Sequence, residues 1–344
     1  MSNGTFNDVL LEPQYSEVLS RSTVDLQSDM GKFNLRLPII SANMKDITGP
    51  KMALTMAMHG GMGILHRFVK EGENDDNGLS DFEEAKSLIC SKCVPNYYWN
   101  RLGVSVGVQE HDRERCDALI QAGAQIICID VAHGHHILVK NMIEWIRGNY
   151  DEKICIIAGN VATASAACDL TEFWGADIIK VGIGPGEVCM TRRNTGSGVP
   201  QLHALKAIRD ANPNIKMIAD GGIKSTGDIA KALKYANACM VGSFIAGTSE
   251  TPGHVYENPD GDYYKVYGGS ASGEHKVKNG QSHKHVEGVI KMVEFRGKVK
   301  YRLRKIKENL QSAFSYSGAS NLNEFQEKAV LREISGGAKM ESKL

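Results

Sequence analysis

The sequence predicts an α/β fold of the (β/α)8 TIM-barrel class. Three observations predict it: eight short apolar runs, helical periodicity between most of them, and glycine- or aspartate-bearing ends on those runs. The runs are Pro38–Ser41, Met62–Leu65, Leu102–Val108, Ile126–Asp130, Ile154–Asn160, Ile178–Ile183, Met217–Asp220 and Ala238–Phe244. Near-continuous β-branched runs suit strands covered on both faces, as in a parallel sheet. Between them, Arg113–Ala122, Ile137–Arg147, Ala164–Trp174, Leu202–Ala211 and Ile229–Tyr235 repeat their apolar residues with helical spacing. Eight alternating units match a closed barrel better than an open, doubly wound sheet. Residues 1–344 are expected to form one domain. Within it, residues 250–300 are polar and rich in Gly, Lys and His, and are expected to be a C-terminal flap without regular structure. A helical stretch, Lys300–Ser312, and a polar tail follow.

Composition narrows the function. The chain has 344 residues, 42% of them hydrophobic, and 40 basic against 40 acidic side chains. A balanced charge provides no field for nucleic acid or an anionic membrane, so an anionic ligand needs a local site. No basic start followed by an apolar run opens the chain, and no stretch approaches the roughly 18 apolar residues of a membrane span. A cytoplasmic protein with neither a nucleic-acid nor a membrane partner is expected. Of the eight cysteines, Cys128, Cys155 and Cys239 lie inside apolar runs, where the thiol is a small buried hydrophobe. Cys90 and Cys93 form a CxxC, but no second CxxC or His pair stands at zinc-ligand spacing.

The strand ends carry the chemistry. In a (β/α)8 barrel the loops after the strands converge over one rim, where active sites lie. On that rim fall Asp130, Gly159-Asn160, Gly182 to Gly186, Asp220-Gly221-Gly222 and Gly242-Ser243. The sixth run leads into Gly182-Ile183-Gly184-Pro185-Gly186-Glu187-Val188-Cys189-Met190-Thr191-Arg192-Arg193. Alternate glycines let this loop turn tightly and expose its amides and carbonyls. A thiol in a mobile loop beside cations is partly thiolate, so Cys189 is a candidate nucleophile. The turns after the seventh and eighth runs suit a phosphate held on backbone N–H groups. Asp220 reads equally as a ribose ligand or as a structural turn residue.

At this point the residues resemble a known family. The run KVGIGPGEVCMTRRNTGSGVPQL resembles the catalytic loop of the IMP dehydrogenase/GMP reductase family, and SANM (Ser41–Met44), IAGNV (Ile157–Val161) and ADGGI (Ala219–Ile223) are similar to its other motifs. The resemblance implies that Cys189 attacks C2 of a purine nucleotide. It implies a monovalent cation, K+, at Gly184, Gly186, Cys189 and Arg192. Nucleotide contacts are implied at Ser41, Asp220, Gly221, Gly222, Gly242, Ser243, Gly268, Gly269, Ser270 and Gly288.

Two features separate the family's branches. Between Leu65 and Leu102 there is no room for the regulatory repeats that dehydrogenases usually insert, and no Arg-Tyr pair occurs in residues 250–300, where the lone Arg296 precedes Gly297. The flap sequence looks like the reductase branch, which implies GMP as substrate, NADPH as cofactor, Glu287 and Thr191 as a proton relay, and a homotetramer. Cofactor contacts are implied at Ser20, Arg21, Arg67, Asp130, Val131, Ala132, Ser312 and Ser315, the last two reaching a neighbouring subunit. His133, His135 and His136 read equally as cofactor ligands or helix caps. Val293–Val299 and Arg332–Gly337 look more like dehydrogenase. An NAD+-dependent IMP dehydrogenase and a non-catalytic purine-nucleotide sensor are the alternatives.

Overall fold

The computed structural model describes residues 4–68, 79–91, 101–269 and 288–341. Eight parallel strands close into a barrel: Ile39–Ser41, Met62–Leu65, Leu102–Val106, Ile126–Asp130, Cys155–Val161, Ile178–Val181, Lys216–Asp220 and Ala238–Val241. Each pairs with its neighbours in chain order, and the eighth closes on the first through Cys239 opposite Ile39 and Val241 opposite Ser41. All eight apolar runs fall on these strands. Nearly every strand residue is buried, because one face fills the barrel and the other lies under the helices.

The helices present the expected stripes. In Ile137–Tyr150 the buried residues are Val139, Met142, Ile143 and Ile146, a single face at helical spacing. In Gln201–Ala211 they include Leu202, Leu205 and Ile208. Side chains fix two of the starts: Asp112 caps Glu110–Gln121 through the amides of Gly107 and Gln109, and Ser225 with Asp228 forms a capping box before Thr226–Leu233. The helical stretch 164–174 is an α-turn, Ala164–Cys168, continued by a π-helical turn, Asp169–Phe173.

One expectation is corrected here. Residues 250–300 are not without regular structure: Tyr256–Glu257, Tyr263–Gly268 and Ile290–Glu294 form a three-stranded antiparallel sheet. In the polar tail, Leu322–Lys328 and Gly336–Glu341 are helical, and Val330–Glu333 pairs antiparallel with Val9–Glu12. Before it, helix Val299–Tyr316 buries Val299, Leu303, Ile306, Leu310 and Phe314, and Phe314 stacks on Phe325 with centroids 4.1 Å apart. Among the described residues no helix is long and apolar enough to cross a membrane.

Candidate active site

The strand ends and the flap sheet surround one cavity of about 460 Å³. Its wall holds Cys189, Thr191, Gly182 to Val188, Asp220 to Ile223, Gly242 and Ser243, and on the opposite side Arg67, Phe68, Asp130, Val131 and Ala132. Gly269 and Gly288 of the flap complete it.

The cysteine loop is tied down from two directions. Beneath it, Gly221 has φ +89°, and a methyl group there would lie 3.1 Å from the Gly186 nitrogen and 2.9 Å from Pro185 Cγ, so only glycine lets the two loops meet. Above it, Cys189 forms an isolated antiparallel bridge with Gly288. The Val289 amide donates to the Val188 carbonyl at 3.1 Å, and the Gly269 amide to the Val289 carbonyl at 3.0 Å. The Cys189 thiol is exposed and donates to Thr191 Oγ1 at 3.2 Å.

A buried charge cluster forms the floor. Lys180 is 2% exposed, and its ammonium lies 2.7 Å from Asp130 and 2.8 Å from Asp220. Asn160 donates to Asp220 at 2.8 Å and to the Gly182 carbonyl at 2.7 Å, and accepts from Lys180. Burial alone would push the Asp130 carboxyl up, but the charges of Lys180 and Arg67 outweigh it and hold it below the ordinary range. Burial likewise opposes the Lys180 charge, yet the two aspartates hold its pKa above the ordinary lysine value. Lys180 and Asp130 are therefore a charged pair at neutral pH, and the one ammonium joins the two sides of the cavity.

The end of the cavity by the eighth strand is built for close approach. A methyl at Gly242 would lie 3.2 Å from Tyr267 Oη. The Gly242 carbonyl accepts from the amides of Ile245 and Ala246, and Arg296 Nη1 donates to the Ser243 carbonyl at 3.0 Å. Glu187 reaches the same end, near the Ser243 side chain and ion-paired with Lys291. Burial raises its carboxyl pKa, but these partners outweigh burial and the net shift is downward.

Not every sequence-predicted residue meets here. Ser41 is fully buried, with its Oγ held by Thr48, while its neighbours Ala42, Asn43 and Met44 line the cavity. Gly268 donates its amide to Asp46 instead of facing the cavity. Arg192 folds back on its own loop, with Nε 3.1 Å from the Ile183 carbonyl and Cγ against Gly184. Ser20, Arg21, Ser312 and Ser315 stand apart. Arg21 Nη1 reaches Ser312 at 3.4 Å and Nη2 reaches the Tyr316 hydroxyl at 3.1 Å, and Ser315 is buried. His136 caps helix Ile137–Tyr150 by accepting from the Leu138 amide, and His135 pairs with Asp169 at 2.7 Å. Glu287, Ser270 and Cys93 lie outside the described residues. Sequence reading missed Asn43, Lys180, Glu187 and Tyr267 as site residues. The lysine had a signal, since a charge inside an apolar strand must be paired.

The same assembly has relatives. A family model described as IMP dehydrogenase / GMP reductase domain matches residues 3–344. The chain belongs to that family. Within the family it is 39% identical over 323 residues to the GMP reductase of Acidovorax sp. (strain JS42), and 36% over 324 residues to that of Mesoplasma florum. Both alignments cover 92% of this chain, and 92% and 93% of those relatives. Among solved family structures, a Trypanosoma brucei GMP reductase with cysteine changed to alanine, in complex with guanosine 5′-monophosphate, superposes with a TM-score of 0.87. The two share 27% identity, and the match covers 100% of this chain and 98% of that one.

Proposed function

We propose that the protein is a cytoplasmic, NADPH-dependent GMP reductase, a single-domain barrel that converts GMP, NADPH and a proton to IMP, NADP+ and ammonia. The observation that carries this reading is the Cys189 thiol, hydrogen-bonded to Thr191 at the mouth of a cavity whose far turns suit a phosphate. The relatives named GMP reductase support the choice of substrate.

The phosphate sits on the turns at Gly221-Gly222 and Gly242-Ser243, with the Tyr267 hydroxyl beside it, and Asp220 takes the ribose. Gly269, Gly288 and Ser270 close over the nucleotide from the flap, with Ser41 and Gly268 supporting the wall. Cys189 adds its sulfur to C2, and the exocyclic amine leaves as ammonia. A thioimidate remains on Cys189. The amine must be protonated to depart, and the Thr191 hydroxyl, supplied by Glu287, delivers that proton. General acid catalysis of this kind contributes about 10²–10⁴ in rate. After C2 has been reduced, the C–S bond breaks and the thiol recovers its proton.

The cofactor fits the opposite wall. Arg67 Nε is buried without a hydrogen-bond partner, and Arg67 lines the side where an anionic cofactor would lie. Arg67, Asp130, Val131 and Ala132 would hold it there, while Ser20, Arg21, Ser312 and Ser315 serve a neighbour's cofactor in a homotetramer. When bound, NADPH supplies a hydride. Among the described residues no cluster of His, Cys, Asp or Glu could hold a metal, so a K+ ion would rest on carbonyls. Those of Gly184, Gly186, Cys189 and Arg192 offer them, and the Gly186 carbonyl keeps a second lone pair beyond its bond from the Cys189 amide. Its charge would fix the loop carrying Cys189.

Mixing the protein with GMP and NADPH and following the nicotinamide absorbance tests the reading, with GMP-dependent oxidation expected. Reduction of NAD+ with IMP and accumulation of XMP would replace it with the dehydrogenase. Binding of GMP without turnover would replace it with a sensor.

A further inference from the structure

The anion end of the cavity contains a carboxylate. Glu187 lines the cavity two residues before Cys189, as Ser243 does at the same end, and is ion-paired with Lys291. Ser243 is the hydroxyl that the phosphate would take under the reading above, on which this inference rests. A dianion placed there meets a negative charge near the donor it needs. Lys291 stands directly opposite Tyr267 in the antiparallel flap sheet. Opposed residues share a face, so the ammonium lies on the side of the sheet from which Tyr267 reaches Gly242.

We propose that Glu187 and Lys291 form a charge lock at the anion end of the cavity: Lys291 favours a phosphorylated ligand, and its pairing with Glu187 weakens the binding of that ligand, which must open the pair. Without ligand, the Glu187 carboxylate holds the Lys291 ammonium. A nucleoside monophosphate takes over that ammonium, and Glu187 turns outward. The exposure of the two side chains, 40% and 37%, makes their ion pair weak enough for a dianion to outcompete. A nucleoside without phosphate leaves the lock closed and gains nothing from Lys291.

Calorimetric titration of the full chain with GMP and with guanosine, without NADPH, separates the parts. Glu187→Gln is expected to tighten GMP about tenfold by freeing Lys291, and Lys291→Met to weaken it about tenfold, the scale of one hydrogen bond to a charged group. Guanosine affinity should stay unchanged in both, and Lys291→Arg should keep GMP affinity. Weaker GMP binding in Glu187→Gln, or guanosine shifting as far as GMP in either variant, would mean that the pair only braces the loop and would overturn the lock. If one variant fails to fold, the other still decides. GMP binding without turnover in the unsubstituted protein would leave the lock standing and remove the enzymatic reading. Binding of neither ligand would remove both.

Discussion

The two sides of the cavity are made of different material. On the side of the sixth to eighth strands the wall is main chain: the glycine-rich loop before Cys189 rests on Gly221 and is bridged from above by Gly288. On the side of the second to fourth strands the wall is side chain, with Arg67, Phe68 and Asp130 facing inward. A wall of backbone leaves no space for an added Cβ where its loops meet, as at Gly182 and Gly221. A wall of side chains is adjustable, because each contact can be removed alone. Lys180 belongs to both, holding Asp130 on one side and Asp220 on the other.

Four substitutions press on that difference. The largest effect is expected for Cys189→Ala, which removes the covalent step: turnover should fall by more than about 10³-fold while calorimetry still detects GMP binding. Undiminished turnover would end the covalent mechanism. Next comes Lys180→Met, which leaves two carboxylates without their cation. Breaking a buried pair from one side costs about 3–5 kcal/mol, so chemical unfolding should show a loss of that size. The sign with pH follows from Asp130. Its folded pKa lies below the ordinary value because Lys180 and Arg67 outweigh burial, so the stabilisation is complete above the ordinary aspartate value. It is lost as pH falls through the lower, folded value. In Lys180→Met this acid-side loss should vanish, and a profile identical to the unsubstituted protein would show that the cluster does not carry it.

Gly221→Ala probes the backbone wall. A side chain at φ +89° against Gly186 is expected to cost roughly 1–3 kcal/mol. Thermal stability and GMP affinity should fall together, and a variant as stable as the parent would show that the loops do not need their close contact. Arg67→Ala probes the other wall. It should raise the KM for NADPH about tenfold, the loss of a charge-assisted contact, with the KM for GMP unchanged. A shift in GMP instead would make the two walls one site.

The sequence read the barrel well because its strands are buried on both faces and so carry continuous apolar runs. Every one of the eight lies where the runs place it, and the residues called from strand ends converge on the rim. The flap was misread for a local reason. Asn258-Pro259-Asp260-Gly261-Asp262 is turn chemistry between Tyr256-Glu257 and the aromatic run Tyr263–Gly268, with Asn258 accepting the amides of Asp260 and Asp262. Its strands are short and partly exposed, so composition hid them. The pairing of Val9–Glu12 with Val330–Glu333 has no local signal, because the partners stand at opposite ends of the chain. Lys180 signalled that it needed a partner, but its partners could not be named from the sequence. Asp130, Asn160, Lys180 and Asp220 sit on four strands, and only closure of the barrel brings them within bonding distance.

The bridge between Cys189 and Gly288 makes the nucleophile a gauge. Because the main chain of Cys189 is bridged to Gly288 just before the flap strand, a displacement of the flap carries the residue that bears the thiol, and the rate at which a small alkylating reagent labels Cys189 should report the flap's position without substrate or cofactor. A stopwatch and an electrophile are enough to follow how this cavity opens.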